Sequence, residues 1–121
     1  MGTRGDVQPF IALALALQKA GHQVKLCTHE AHRSLVENWK LNFCPLAGNP
    51  KDLIKLCVDN PNWLSVGFAR DCANFFKFMD DLIASVWEAT KEGDADVLIQ
   101  NGAIFAGQHV AEKFKVEFLL Y

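Results

Sequence analysis

Gly2-Thr3-Arg4-Gly5-Asp6-Val7-Gln8-Pro9-Phe10 places two glycines, an arginine, a carboxylate and a proline directly ahead of the apolar run Ile11–Leu17. A turn of this kind brings backbone N–H groups close to a ligand. The start of a helix carries donors without partners and a partial positive charge, so it favours anions. Gly2, Thr3 and Gly5 are the candidate contacts to such an anion, because glycine lets a backbone approach closely. Asp6 falls at or just before the first helical turn. There a carboxylate can cap the helix, or stand ready to accept a proton.

The elements that position this turn alternate along the chain. Val7 to Ala20 reads as a helix ended by Gly21. Gln23 to Thr28 alternates polar and apolar residues and reads as a strand. Glu30 to Asn38 is a short helix, and Asn42 to Cys44 a brief strand stopped by Pro45. Pro50 can open a helix from Lys51 to about Val58, broken at Asn60-Pro61-Asn62. Phe68 to Lys91 is a long helix with Phe75, Met79, Leu82, Ile83 and Val86 on one face. Asp96 to Gln100 is a buried strand, Ile104 to Phe114 a helix, and Val116 to Tyr121 a last strand. Strands separated by helices imply a parallel, Rossmann-like α/β sheet with helices on both faces. In a doubly wound sheet the first strand is central, yet here the chain opens on the turn itself. The expectation is therefore a domain, residues 1–121, that is incomplete at both ends and lacks its first strand.

At 121 residues with half of them hydrophobic and a net charge of −2, the chain is one globular domain at most. Without a Lys/Arg cluster it offers nothing to a nucleic acid. No stretch reads as a signal peptide, and Phe10–Leu17 is too short to span a bilayer. Cysteines at 27, 44, 57 and 72 have no C-x-x-C spacing. Zinc is not expected, and reduced thiols in a cytoplasmic protein are the simplest reading.

The segment GTRGDVQPFIALALALQKAGHQV resembles the first loop and helix of GT-B fold glycosyltransferases, above all the UDP-glucose:sterol glucosyltransferases, with their G-[ST]-R-G-D-x-x-P loop. The resemblance continues through Cys27–Arg33 and Pro45–Pro50, and weakly at Ala95–Asn101 and His109–Glu112. It implies the N-terminal, acceptor-binding half of an enzyme that moves glucose from UDP-glucose onto the hydroxyl of a lipid such as a sterol, with inversion. It implies Asp6 as the base and Gly2, Thr3 and Gly5 against the donor diphosphate; no metal or other cofactor is expected. The variable region that lines the acceptor site in this family maps to Trp63–Phe78, where Trp63, Phe68 and Phe75 are the candidates. A donor-binding C-terminal domain would be the missing partner, and a lipid acceptor allows peripheral contact with a membrane. The 121 residues alone are expected to be inactive and unable to fold stably.

Two readings compete. A dinucleotide-dependent oxidoreductase domain needs G-x-G-x-x-G and an acid ending the second strand. Here the glycines fall at 2 and 5, and Thr28 and His29 end that strand. A non-catalytic Rossmann-like nucleotide-binding module is the other. Ordinary roles compete for single residues as well: capping or surface contact for His29, Glu30 and His32, a satisfied helix position for His109, a structural role for Arg4, and core packing for most of the aromatic residues.

Overall fold

The computed structural model describes residues 3–49, 51, 52, 55, 66–91, 95–102 and 106–121, with backbone alone for 66–71. Helix α1 spans Arg4–Lys19, β1 Lys25–His29, a single 3-10 turn Glu30–His32, α2 Arg33–Glu37 and β2 Asn42–Leu46. Helix α3 then spans Val66–Lys91, β3 Val97–Gln100, α4 Ala106–Phe114 and β4 Glu117–Leu120. The helix read from Lys51 to Val58 and the break at Asn60–Asn62 fall largely outside the described residues.

α1 starts three residues earlier than its apolar pattern suggests. Thr3, extended at ψ 175°, is the N-cap, and Asp6 is the third helical residue in a capping box with it. The cap is therefore Thr3 rather than Asp6. Pro9 lies inside the helix, where its missing N–H would have met the Gly5 carbonyl. That carbonyl belongs to the exposed first turn, so water can serve it. The other end follows the sequence closely. The Gly21 N–H donates to the Gln18 carbonyl at 3.0 Å and the His22 N–H to the Leu17 carbonyl at 3.1 Å, with Gly21 at φ 94°. These are the two bonds of a Schellman motif, which needs a left-handed residue where Gly21 stands.

All strand pairing is parallel, in two pairs: β1 with β2, and β3 with β4. Parallel strands need both faces covered, and β1 shows how. Leu26 and Phe43 join Val7, Ile11, Ala14, Val36 and Leu41 under α1 and α2. On the opposite face, Cys27 and Leu46 join Leu82, Val86, Ala106 and Val110 under α3 and α4. Lys25 Nζ donates to the Ala89 carbonyl at 2.9 Å, and the Ala47 N–H to Ser85 Oγ at 3.0 Å, pinning both strands to α3. α1 also reaches the second pair, since the Phe10 and Tyr121 rings meet edge-on at 5.2 Å. This is the Rossmann-like α/β architecture expected, with helices on both faces.

Two local expectations are corrected. β2 does not stop at Pro45 but runs to Leu46, with Pro45 level with Thr28. Among the described residues β2 pairs only with β1, and an edge strand tolerates a proline because its outer N–H is not needed. On α3 the buried stripe runs through Leu82, Val86 and Ala89, while Ile83 is 41% exposed. One step along a helix is a rotation of about 100°, which carries Ile83 off the stripe.

Candidate functional site

In a parallel sheet, ligands collect at the carboxyl ends of the strands. The start of α1 lies at that end. A cleft of about 260 Å³ is lined by Arg4 from α1 and by Ala31, His32, Ser34, Leu35 and Asn38 from the segment after β1. The turn that carries Asp6 thus borders an open polar cleft that holds a guanidinium, an imidazole, a hydroxyl and an amide.

Asp6 is exposed, and its Oδ2 accepts two hydrogen bonds from Thr3. The backbone N–H donates at 2.6 Å and the hydroxyl at 2.9 Å. These bonds hold the carboxyl below its ordinary value of 3.8, because they favour the charged form. At neutral pH the group is a carboxylate, the form that can accept a proton. Both bonds end on Oδ2 and neither uses Oδ1.

Thr3 therefore serves Asp6 directly. Gly5 is the second residue of α1 and is exposed; a Cβ built there would meet only Thr3 Oγ1, at an ordinary 3.6 Å. Gly2 and Trp63 lie outside the described residues, as does the side chain of Phe68. Phe75 is half-buried on α3 with its ring 6.0 Å from that of Phe76, which is 65% exposed. Trp87 packs on Phe114 at 4.8 Å against the core, the ordinary role weighed for it.

The residues after β1 divide three ways. Glu30 and Glu37 pair with Arg33, whose guanidinium also lies 4.4 Å from the centre of the Phe43 ring. His32 faces the cleft. His29 stands at the N-cap of the 3-10 turn but its side chain makes no capping bond; it is fully buried, 6.3 Å from the Phe78 ring, and its ring nitrogens make no hydrogen bond among the described residues. Burial lowers its pKa from 6.5. The apolar neighbours Leu46 and Phe78 explain this burial, and the strand's last position gave no sign of it. Arg4, Ser34 and Asn38 were not distinguished by sequence as cleft residues. The one available signal was that Arg4 shares its turn with Asp6. His109 is exposed beside Glu112, as a helix-surface residue.

Among the described residues, no three His, Cys, Asp or Glu side chains lie close enough to hold a metal ion, and no helix is long and apolar enough to cross a membrane.

Residues 1–120 match the family model for the glycosyltransferase family 28 N-terminal domain. The chain belongs to that family. It is 40% identical over 119 residues to UDP-sugar-dependent glycosyltransferase 52 of Dictyostelium discoideum, covering 98% of this chain and 7% of that protein. It is 41% identical to the sterol 3-beta-glucosyltransferase of Komagataella phaffii and 40% identical to that of Yarrowia lipolytica. Those matches cover 98% of this chain and 10% and 8% of the two relatives. The chain thus spans about a tenth or less of the length of these relatives. In this family 28 domain, the Thr3–Asp6 turn and the cleft beside it are the features with a site's geometry.

Proposed function

We propose that this chain is the acceptor-binding half of an inverting glucosyltransferase that moves glucose from UDP-glucose to the hydroxyl of a sterol, in the cytoplasm or at a membrane surface. The similarity to sterol 3-beta-glucosyltransferases over 98% of the chain supports the reaction class. The single structural observation that carries the mechanism is Asp6: an exposed carboxylate, held by two hydrogen bonds from Thr3, at the carboxyl end of the sheet.

In this reading the sterol hydroxyl approaches Asp6, which takes its proton as the oxygen attacks the anomeric carbon. One base and one displacement give inversion, with no covalent sugar intermediate. Gly2, Thr3 and Gly5 lie against the donor diphosphate, whose uridine half rests on a second domain. Trp63, Phe68 and Phe75 offer the apolar surface that a sterol needs. The described residues pair β1 and β3 with one neighbour each, so both edges are open to a further strand of the longer protein. The 121 residues alone are proposed to be inactive.

The reading is tested with the full-length protein, UDP-glucose and a panel of acceptor alcohols. Transfer to sterols well above transfer to small polar alcohols is the expected result. A preference for polar acceptors would overturn the acceptor assignment.

A further inference from the structure

Cys27 and Cys44 are directly opposite each other in the parallel ladder of β1 and β2, both half-buried and both free thiols. Residues level with each other on adjacent parallel strands point to the same face, and here it is the face under α3, where Cys27 packs beside Leu46, Leu82 and Val86. Neighbouring strands lie about 4.7–4.9 Å apart. A disulfide spans Cα atoms about 4.4–6.8 Å apart, and the spacing of level neighbours on paired strands falls within that range. Burial, then the Cys44 charge and a thiol–thiol hydrogen bond, push the Cys27 thiol up to about 12.

We propose that Cys27 and Cys44 form a modification site: a dithiol that a low-molecular-weight disulfide oxidises to an internal Cys27–Cys44 bond, reversible by thiols. Burial holds the proton on Cys27, so the Cys44 sulfur attacks first and gives up its proton as it does. It bonds to one sulfur of the reagent, breaks the reagent's S–S bond and expels one thiolate, leaving a mixed disulfide. Cys27 then gives up its proton as its sulfur attacks the Cys44 sulfur, and the second reagent thiolate leaves. The two cysteine protons end on the two released thiols. Two cysteine sulfurs are oxidised and one reagent disulfide is reduced. A bond between edge-level neighbours closes a short loop and clamps β1 to β2 just before His29 and Leu46.

The sequence makes the test clean, because trypsin places the four cysteines on four peptides: 26–33, 41–51, 56–70 and 71–77. The folded full-length protein is treated with oxidised glutathione, quenched by alkylation, digested and analysed by mass spectrometry. The expected result is a 26–33/41–51 cross-link that a dithiol reductant removes, while Cys72 gives only a mixed disulfide. Cys27→Ser should stop at glutathione on Cys44, and Cys44→Ser should leave Cys27 unmodified. In urea-denatured protein the preference for the 27–44 pair should vanish. Glutathione accumulating on Cys44 of the unsubstituted folded protein without cross-linking to Cys27, or oxidation of Cys72 with the 27–44 pair still reduced, would overturn the proposal.

Discussion

Asp6 Oδ2 accepts both the backbone N–H and the hydroxyl of Thr3, at 2.6 and 2.9 Å, so the N-cap of α1 and the candidate base are one hydrogen-bonded unit. The same contact that starts the helix lowers the pKa of the carboxyl from its ordinary 3.8. Thr3→Val keeps the N–H bond and removes the hydroxyl bond. The Asp6 carboxyl should then titrate at higher pH than in the unsubstituted protein, as read by NMR of its carboxyl carbon. A carboxyl held low stabilises the fold above its unfolded value and loses that contribution as pH falls through its folded value. With the ordinary value at 3.8, the Asp6 window therefore lies below that pH. Thr3→Val should shrink the acid-induced loss.

His29 works in the opposite part of the pH scale. Burial lowers its pKa from 6.5, so on acidification the unfolded chain takes up a proton that the folded chain refuses. Where the unfolded state binds more protons, stability rises with pH. Stability should therefore decline as pH falls from 6.5 toward the lowered folded value. His29→Leu should flatten that decline in denaturant titrations run across the window.

Leu82 is fully buried where α3 meets Leu46 and α4. Leu82→Ala should cost about 2–5 kcal/mol, the usual range for emptying a core leucine site. Ile83→Ala, one residue along and 41% exposed, should cost far less. Thermal melts of the pair test whether α3 buries the face described here.

Two helix ends share one geometry with different residues. Gly21 ends α1 at φ 94°, and Lys115 ends α4 at φ 58°. In α4 the Val116 N–H donates to the Ala111 carbonyl at 3.0 Å, as His22 does to Leu17 in α1. A left-handed conformation costs a residue with a side chain about 1–2 kcal/mol. Gly21→Ala, with nothing within 4 Å of the new Cβ, should destabilise by about 1 kcal/mol, and Lys115→Gly should stabilise by a similar amount. Denaturant midpoints measure both.

The element order and parallel pairing were legible because helix and strand periods alternate cleanly and Gly21 marks a stop. The start of α1 was misplaced for a physical reason. Apolar periodicity begins at Val7, but the backbone donors ahead of it are served by Thr3 and Asp6 acting together, and such a box adds a turn of helix that no apolar residue announces. Pro45 misled in a similar way, since a proline ends a strand only where its N–H is needed. For the candidate site, the sequence singled out the turn that carries Asp6, and Arg4 of that turn lines a cleft. The sequence could not show that Arg4, His32, Ser34 and Asn38 share a cleft, because α1 and α2 come together only through the core beneath them. Nor could it show the register that sets Cys27 opposite Cys44, since sixteen residues separate them and only strand pairing brings them level.

The central claim is that Asp6 is the base of an inverting transfer. Asp6→Asn in the full-length protein tests it most directly, with turnover, melting temperature and the anomeric configuration of the product measured together. Asparagine can still accept the Thr3 N–H bond, so the melting temperature should barely move. The unsubstituted enzyme should give the β-glucoside from the α-linked donor. The variant should lose about two to four orders of magnitude in turnover, the scale for losing a general base. A folded Asp6→Asn protein with near-normal turnover, or a product that retains the α configuration, would contradict the account.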